Sequence, residues 1–231
     1  MTSRVLLVRH GQASWGKKDY DQLSPLGERQ SAILGTALAA RHVEPTVVVA
    51  GGLARQQETA RRLVGAAGWG SEIEVDERWN EYDHTAIITA HKPAYRSMTI
   101  MKADLVRTFR PYRAFMKMFE QALVRWAQGG HDGDYEETFS AFTARVTAAL
   151  DDLLTRLGND GTAIVCTSAG PVCWALASTL GADALAWGHL QIPIVNSSVS
   201  SITSSRYGPL VTGYNDHSHL EVVDPQLATT R

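Results

Sequence analysis

Short apolar runs alternate with helical patterns along this chain, and this alternation restricts the fold more than any other feature. The runs lie at residues 5–8, 46–50 and 163–166, and each has the length and composition of a buried strand. The segment after each run carries the signals of a helix. Alternation of this kind predicts an α/β fold, a three-layer sandwich in which helices flank a wound and mostly parallel sheet.

Start and stop signals define the helices around these strands. Ser24 is predicted as the N-cap of the first helix, and Pro25 as its first residue. Apolar residues between 139 and 157 form one helical face, which Gly158 ends. Three further strands are predicted near residues 71–75, 198–203 and 210–212.

Residues from about 84 to 135 break the alternation. Apolar side chains recur there at alternating spacings of four and three, which predicts a helical seam that Pro111 interrupts or kinks. We interpret the segment as a helical insertion that acts as a lid on a single domain spanning residues 1–231. A helix pair that closes the core or forms a dimer face is the alternative, and both can hold. The seam consists of Leu105, Phe109, Tyr112, Met116, Phe119, Leu123 and Trp126.

The composition limits the partners and the compartment. There are 22 Lys and Arg against 24 Asp and Glu, and the net charge of −2 gives no reason to expect nucleic acid or an anionic membrane as a partner. No segment approaches the roughly 18 consecutive apolar residues of a membrane span, and no signal peptide is expected. Cys166 and Cys173 lie in apolar sequence and are predicted to be buried free thiols. We therefore expect a cytoplasmic protein, with a homodimer as a candidate assembly.

The polar loop after the first strand is the candidate reactive site. Arg9-His10-Gly11 follows the apolar run, and ligands of open α/β sheets bind at the carboxyl ends of the strands. We interpret His10 as a nucleophile and Arg9 as its phosphate-holding neighbour. The alternative is a histidine that satisfies a backbone group, with Arg9 merely solvated. Arg55 follows the second strand and is predicted to emerge at the same edge of the sheet.

Four motifs in this order resemble the histidine phosphatase superfamily, also called phosphoglycerate-mutase-like. Arg9-His10-Gly11 matches the Arg-His-Gly of the family, and residues 23–30 are similar to its Leu-Ser-x-Leu-Gly-x-x-Gln pattern. Residues 51–60 resemble Ser-Pro-Leu-x-Arg-x-x-x-Thr-Ala, with two glycines in place of Ser-Pro. Residues 79–81 resemble the segment that carries the acidic residue of the family.

The resemblance implies a two-step phosphoryl transfer through a phosphohistidine on His10. Arg9 and Arg55 would hold the phosphoryl oxygens, because a guanidinium binds phosphate bidentately and stays charged. Glu81 would protonate the departing oxygen and then accept a proton from the attacking water, which favours a raised pKa. Glu77 or Asp83 takes this role if the local register differs. The scheme needs no metal or other cofactor.

One position departs sharply from the family pattern. Where the family has a second histidine in a Ser/Thr-His-Gly turn, this chain reads Ser168-Ala169-Gly170. A methyl group donates nothing to a phosphoryl oxygen, and losing one comparable donor in other enzymes costs on the order of 100- to 1000-fold in turnover. Either His217 or His219 could reach in from the tail and compensate. Two histidines without a clear third ligand are weak evidence for a metal, and we predict no metal site.

Several neighbouring residues are assigned to the site as candidates. Ser168 is a candidate phosphate ligand, together with the amides of the following helix start, or it is only a helix cap. Gln12 and Trp15 could line the phosphate or substrate entrance, or they could be ordinary loop residues.

Three functions fit these residues. The first is a phosphatase that acts on a small phosphorylated metabolite or a phosphorylated side chain. The second is a phosphoglycerate mutase with the same intermediate, but mutases usually continue Arg-His-Gly with Glu-Ser, whereas this chain has Gln12-Ala13, which favours the hydrolase. The third is a non-catalytic module that binds a phosphorylated ligand, for which Ala169 is the chief argument.

Overall fold

The computed structural model describes residues 2–14 and 21–230, which form one six-stranded sheet with helices on both faces. The strands are β1 (Arg4–Arg9), β2 (Val47–Ala50), β3 (Ile73–Val75), β4 (Thr162–Thr167), β5 (Val199–Ser205) and β6 (Gly208–Asp216). Their order across the sheet is β3-β2-β4-β1-β5-β6. The first four are parallel, whereas β5 is antiparallel to both of its neighbours. The predicted α/β class and mostly parallel sheet are confirmed.

The helices begin and end close to the predicted signals. Ser24 caps the first helix, since its Oγ accepts a hydrogen bond of 3.0 Å from the Gly27 amide. Gly158 follows the last residue of the long sixth helix, as predicted. The helices are α1 (Pro25–Ala40), α2 (Ala54–Ala67), α3 (His84–His91), α4 (Met98–Val106), α5 (Pro111–Ala127), α6 (Phe139–Leu157), α7 (Ala169–Thr179), α8 (Ala184–Gln191) and α9 (Ser218–Glu221).

The core lies on both faces of the sheet because successive residues of a strand point to opposite sides. Val5 and Leu7 of β1 pack with buried residues of α5, α6, α7 and α8. Leu6 and Val8 pack with buried residues of α1 and α2 on the other face. This arrangement is the predicted three-layer sandwich.

Strand register brings several carboxyl ends to one edge of the sheet. β1 lies between β4 and β5, and Arg9 pairs with Thr167. In the next parallel pair, Ala50 of β2 is opposite Cys166 of β4. The loops that follow β1, β2 and β4 therefore leave the sheet side by side.

The insertion departs in part from the predicted seam. The break at Pro111 is real, since α4 ends at Val106 and Pro111 is the first residue of α5. Trp126 is buried, whereas Phe109 lies between α4 and α5 and is fully exposed, and Tyr112 of α5 is 56% exposed, so the seam is not covered along its whole length. An apolar period alone does not show how far along a helix the core extends. The C-terminal half of α5 closes the core, and the lid role remains a prediction.

The cysteine prediction is confirmed, because Cys166 and Cys173 are both free and buried. Burial raises the pKa of the Cys166 thiol to about 12, which keeps this group protonated at neutral pH. Among residues 2–14 and 21–230, no helix has the length and apolar character needed to cross a membrane.

Candidate active site

His10 lies in a tight loop between β1 and α1. A Cβ atom on Gly11 would lie 2.4 Å from the carbonyl oxygen of Gly27, so only glycine lets the loop approach the first turn of α1. The Gly11 amide donates to Thr59 Oγ1 on α2 at 3.0 Å, and the His10 amide donates to the Thr167 carbonyl at 2.7 Å. The loop is thus fixed from three elements.

The imidazole of His10 is oriented by its own loop. Its Nδ1 lies 2.7 Å from the Gly11 carbonyl oxygen. A carbonyl only accepts hydrogen bonds, so Nδ1 carries the proton and Nε2 keeps its lone pair. That tautomer presents Nε2 as a base or a nucleophile.

Arg55 meets His10 as predicted. It lies in the first turn of α2, is almost buried, and its Nε donates to His10 Nε2 at 3.2 Å. The sequence analysis missed Asp21, whose Oδ1 accepts from Arg55 Nη1 at 2.6 Å and whose Oδ2 accepts from the Ala54 amide at 2.8 Å. This carboxylate holds the guanidinium at the start of α2.

The charge state of His10 follows from these surroundings. Burial, then the charges of Arg55 and Arg9, hold the pKa of His10 well below its usual range, and the hydrogen bond to Gly11 opposes them only in part. The imidazole is therefore neutral at physiological pH, which is the state that a nucleophile requires.

Arg9 is directed toward the C-terminal segment. Its Nη1 donates to the Ile194 carbonyl at 2.5 Å, and both Nη atoms lie 3.2 Å from the Thr230 carbonyl. Its charge still acts on His10 and on Glu81. A phosphate contact by Arg9 remains a prediction.

The C-terminal segment also supports the backbone of the reactive loop. The side-chain amide of Asn196 donates to the His10 carbonyl at 3.2 Å, and the Asn196 backbone amide donates to the Thr229 carbonyl at 2.7 Å. Gln30 of α1 donates to the Leu227 carbonyl at 2.7 Å. Hydrogen bonds therefore hold residues 227–230 next to the loop that carries His10.

Glu81 is the acidic residue that the structure directs toward the start of α7. Its Oε2 accepts from the Gly170 amide at 3.1 Å, and a Cβ atom on Gly170 would lie 2.1 Å from Oε1. Burial raises the pKa of Glu81, against the Gly170 amide, the charge of Arg55 and further polar neighbours, so the carboxyl group holds a proton more readily than a solvated one. Asp83, the alternative, instead caps α3 by accepting from the Thr85 amide at 2.8 Å.

A buried amide links α2, α7 and the loop before Glu81. Gln56 is fully buried, and its Nε2 donates to Ser168 Oγ at 2.8 Å and to the Trp79 carbonyl at 3.3 Å. Ser168 is the N-cap residue of α7 but makes no side-chain capping bond. Its hydroxyl belongs to this network, and phosphate binding by Ser168 remains a prediction. The sequence analysis did not identify Gln56 as a site residue. Its only sequence signal is that it is a polar residue in the first turn of a helix.

The loop that carries Glu81 is fixed from both sides. Asn80 Oδ1 accepts from the Gly52 amide at 2.6 Å, and Arg145 of α6 donates to the Arg78 and Asn80 carbonyls at 2.7 Å each. A cavity of about 440 Å³ also borders this loop, lined by Glu81, Ile87, Trp126, Tyr135 and Arg145 among others. The cavity lies beside the Glu81 segment, and neither His10 nor Arg55 lines it.

The remaining candidates are the two entrance residues, Gln12 and Trp15, and Ala169, which replaces the second histidine of the family. Gln12 directs its Oε1 to the Ser24 hydroxyl, 2.8 Å away, at the start of α1. Ala169 is the first residue of α7, and its half-buried methyl group packs against the core. Trp15 lies outside the described residues.

The tail histidines contact residues of the tail and, for His219, the Ser197 backbone. His217 Nδ1 lies 2.6 Å from the Asn215 carbonyl, and its Nε2 lies 3.4 Å from a Glu221 carboxylate oxygen. His219 is placed near Ser197 and Asp216, and burial lowers its pKa to about 4. The Ser197 amide itself lies 3.3 Å from the His10 carbonyl oxygen, and compensation by either tail histidine remains a prediction. In residues 2–14 and 21–230, no group of three or more His, Cys, Asp and Glu side chains is placed to hold a metal ion.

A histidine that the sequence analysis did not single out lies next to the site. His84 is the first residue of α3 and is half-buried, three positions after Glu81. Burial and, less strongly, the charge of Arg55 lower its pKa, while Asp83 opposes the shift. Both His10 and His84 therefore experience the charge of Arg55. No periodic or motif signal marks a single histidine at the start of a helix.

Sequence comparison gives one family and one curated relative. The family model described as histidine phosphatase superfamily (branch 1) matches residues 5–96 and 108–217, and α4 falls within the gap between the two matched parts. A relative from Enterobacter sp. (strain 638), named "Probable phosphoglycerate mutase GpmB", is 30% identical over 94% of this chain and 95% of its own length.

Solved structures share the fold at low sequence identity. Phosphoglycerate mutase from Bacillus anthracis superimposes with a TM-score of 0.68 at 15% identity, covering 95% of this chain and 96% of the other. A phosphoserine phosphatase mutant from Entamoeba histolytica gives 0.66 at 15% identity over 94% and 99%. Mycobacterial glucosyl-3-phosphoglycerate phosphatase gives 0.63 at 20% identity over 92% and 98%. The family model matches most of the length of this chain, and the chain therefore belongs to branch 1 of the histidine phosphatase superfamily.

Proposed function

We propose that the chain is a phosphatase that hydrolyses a phosphomonoester through a phosphohistidine on His10. The observation that carries the proposal is the pairing of a neutral imidazole with a guanidinium. Nδ1 of His10 is tied to the Gly11 carbonyl, and Nε2 lies 3.2 Å from Arg55 Nε. A phosphoryl group placed there meets a nucleophilic nitrogen and a cation together.

The first step forms the phosphohistidine. His10 Nε2 attacks phosphorus, and the bond from phosphorus to the ester oxygen breaks. The N–H of Arg55 that pointed to Nε2 is then free to bind a non-bridging oxygen. Glu81 gives its proton to the departing oxygen, which its raised pKa favours.

The second step returns His10 to its starting state. Glu81, now a carboxylate, accepts a proton from water as the water oxygen attacks phosphorus. The bond between phosphorus and Nε2 breaks, and inorganic phosphate leaves. The substrate class is a small phosphorylated metabolite or a phosphorylated side chain, and we assign the protein to the cytoplasm, where its two buried thiols stay reduced.

The experiment for this proposal is quench trapping with a ³²P-labelled phosphomonoester. We expect an acid-labile, base-stable phosphoryl group on the intact protein and none on His10→Ala, because Nε2 is the only atom that forms the bond. His189→Ala, which changes an exposed histidine of α8, is the control and keeps the label. Equal labelling of the intact protein and His10→Ala would remove His10 from the mechanism. Absence of both label and hydrolysis would favour the non-catalytic binding module.

A mutase is the second candidate, because the relative at 30% identity carries the name of a probable phosphoglycerate mutase. A mutase passes the phosphoryl group to a second hydroxyl of the substrate instead of to water. Phosphorus NMR of a reaction with 3-phosphoglycerate separates the two activities. Release of inorganic phosphate supports the hydrolase, whereas accumulation of 2-phosphoglycerate supports the mutase.

A further inference from the structure

The start of α7 presents no cationic side chain to a bound phosphate. Its first residues are Ala169, Gly170 and Pro171, and the Gly170 amide already donates to Glu81. During transfer, negative charge spreads over the three non-bridging oxygens of the phosphoryl group. Arg55 approaches from the His10 side, and Ser168 and the remaining amides of the helix start are uncharged, so a cationic donor near α7 has to come from another element.

The segment from Asn80 to His84 passes between the start of α2 and the start of α7. At one end, Asn80 accepts from the Gly52 amide, three residues before Arg55. In the middle, Glu81 accepts from the Gly170 amide of α7. His84 follows at once as the first residue of α3, so its imidazole is carried by the same segment that positions the proton donor.

Two charged groups of the described residues, Arg55 and Asp83, act on His84. The carboxylate of Asp83 accepts hydrogen bonds from the Thr85 and Ala86 amides at 2.8 and 3.1 Å. Burial and Arg55 keep the pKa of His84 low, so the free protein holds a neutral ring. A phosphate dianion bound beside Arg55 reverses this balance, because a nearby opposite charge favours the imidazolium.

We propose that His84 donates a hydrogen bond to the phosphoryl group and fills the place left by the missing imidazole at Ala169. The proposal rests on the phosphatase assignment above and adds a catalytic residue to it. Once protonated, the ring binds a non-bridging oxygen opposite Arg55. The bond strengthens as negative charge develops there in the transition state.

The direct test follows the histidine ring signals by NMR while inorganic phosphate is added. We expect phosphate to raise the pKa of His84 by about 1 to 3 units, the effect of an opposite charge at hydrogen-bonding range. His91, at the other end of α3, is the matched control, and its ring signals are expected not to respond to phosphate. His84→Gln assigns the signal. A His10 signal that responds to phosphate while that of His84 does not would overturn the proposal.

Kinetics on an aryl phosphate provide the second test. We expect His84→Ala to lower kcat by about 100- to 1000-fold, as for other single donors to a developing charge. His91→Ala leaves kcat unchanged. Ala169→His restores part of the activity of His84→Ala but adds little to the intact protein. A structural role for His84 would not give this rescue.

The outcomes separate this inference from the proposed function. If His84→Ala is fully active while His10→Ala is inactive, His84 is not a donor and the phosphatase assignment stands. If the intact protein neither hydrolyses the ester nor retains label, the phosphatase assignment fails. The phosphate titration of His84 then decides alone whether this ring binds phosphate.

Discussion

The carboxyl group of Glu81 and the ring of His10 have environments that push their protonation in opposite directions. Burial raises the pKa of Glu81 and lowers that of His10, so the acid holds a proton more readily than a solvated carboxyl group and the base holds one less readily than a solvated imidazole. Pairs of titratable groups displaced in this way are typical of acid and base assignments in active sites. In the proposed mechanism, this difference suits Glu81 to proton donation and His10 to nucleophilic attack.

Substitution of Glu81 tests the proton donor. Glu81→Gln keeps the shape of the side chain and removes the transferable proton. We expect a small loss of kcat with an aryl phosphate, whose leaving group needs no proton, and about 100- to 10,000-fold loss with an alkyl phosphate. Equal losses on the two esters would contradict a donor role. Glu77→Gln is measured alongside, and a selective loss there would move the role to Glu77.

Residue roles were predictable only where a local motif marked them. His10 and Arg55 follow recognisable strand exits, and the structure brings them into contact. Asp21 and Gln56 carry no such mark, because their partners Arg55 and Ser168 lie 34 and 112 residues away. A single polar residue has no periodicity, and its partner depends on how the whole sheet assembles.

At the scale of elements, the junction between α2, β4 and α7 depends on one buried side chain. Gln56→Leu removes the hydrogen bonds to the Ser168 hydroxyl and to the Leu53 amide inside the protein. We expect the free energy of unfolding to fall by about 1–3 kcal/mol, since buried polar groups lose their partners. Urea unfolding measures the change. Gln121→Leu, at an exposed position of α5, is the control, and an equal loss there would refute the role of the network.

The end of α5 contributes to the core, unlike the loop before its start. Trp126 packs against Phe142 and Trp187, with ring centroids 5.6 and 6.2 Å away, and its Nε1 donates to the Glu137 carbonyl. We expect Trp126→Ala to lower the free energy of unfolding by about 3–5 kcal/mol. Phe109→Ala, at a fully exposed position, changes it by about 0.5 kcal/mol or less. Similar losses in urea unfolding would mean that the insertion packs differently.

The elements themselves were largely predictable because strand and helix signals are local. β1, the N-cap Ser24 and the stop at Gly158 follow from a few adjacent residues each. The apolar period did not show that Phe109 and Tyr112 are exposed, because a period describes one helix and not what covers it. Burial depends on neighbours such as α6 and α8, which are distant in sequence.

At the scale of the whole molecule, three buried or half-buried histidines make stability depend on pH. Burial lowers the pKa of His10, His84 and His219, and that of His219 reaches about 4. Below about pH 6.5 the unfolded chain binds protons that the folded chain excludes. The stability that these neutral rings contribute is therefore fully present above that pH, and it is lost as the pH decreases toward 4.

Urea unfolding between pH 7.5 and 4.5 measures this dependence. We expect His219→Gln to reduce the loss of stability on acidification, because the variant has no imidazole to protonate there. His189→Gln changes an exposed ring and leaves the profile as it is. An unaltered profile in His219→Gln would show that this ring titrates alike in the folded and unfolded chains.

The central position of β1 makes the reactive loop depend on segments that are distant in sequence. This strand is hydrogen-bonded to β4 and β5, and residues 227–230 close behind the loop that follows it. The surroundings of His10 therefore exist only once these later segments have folded against β1. A fragment cut before β4 would contain the imidazole without the strands and the segment that enclose it.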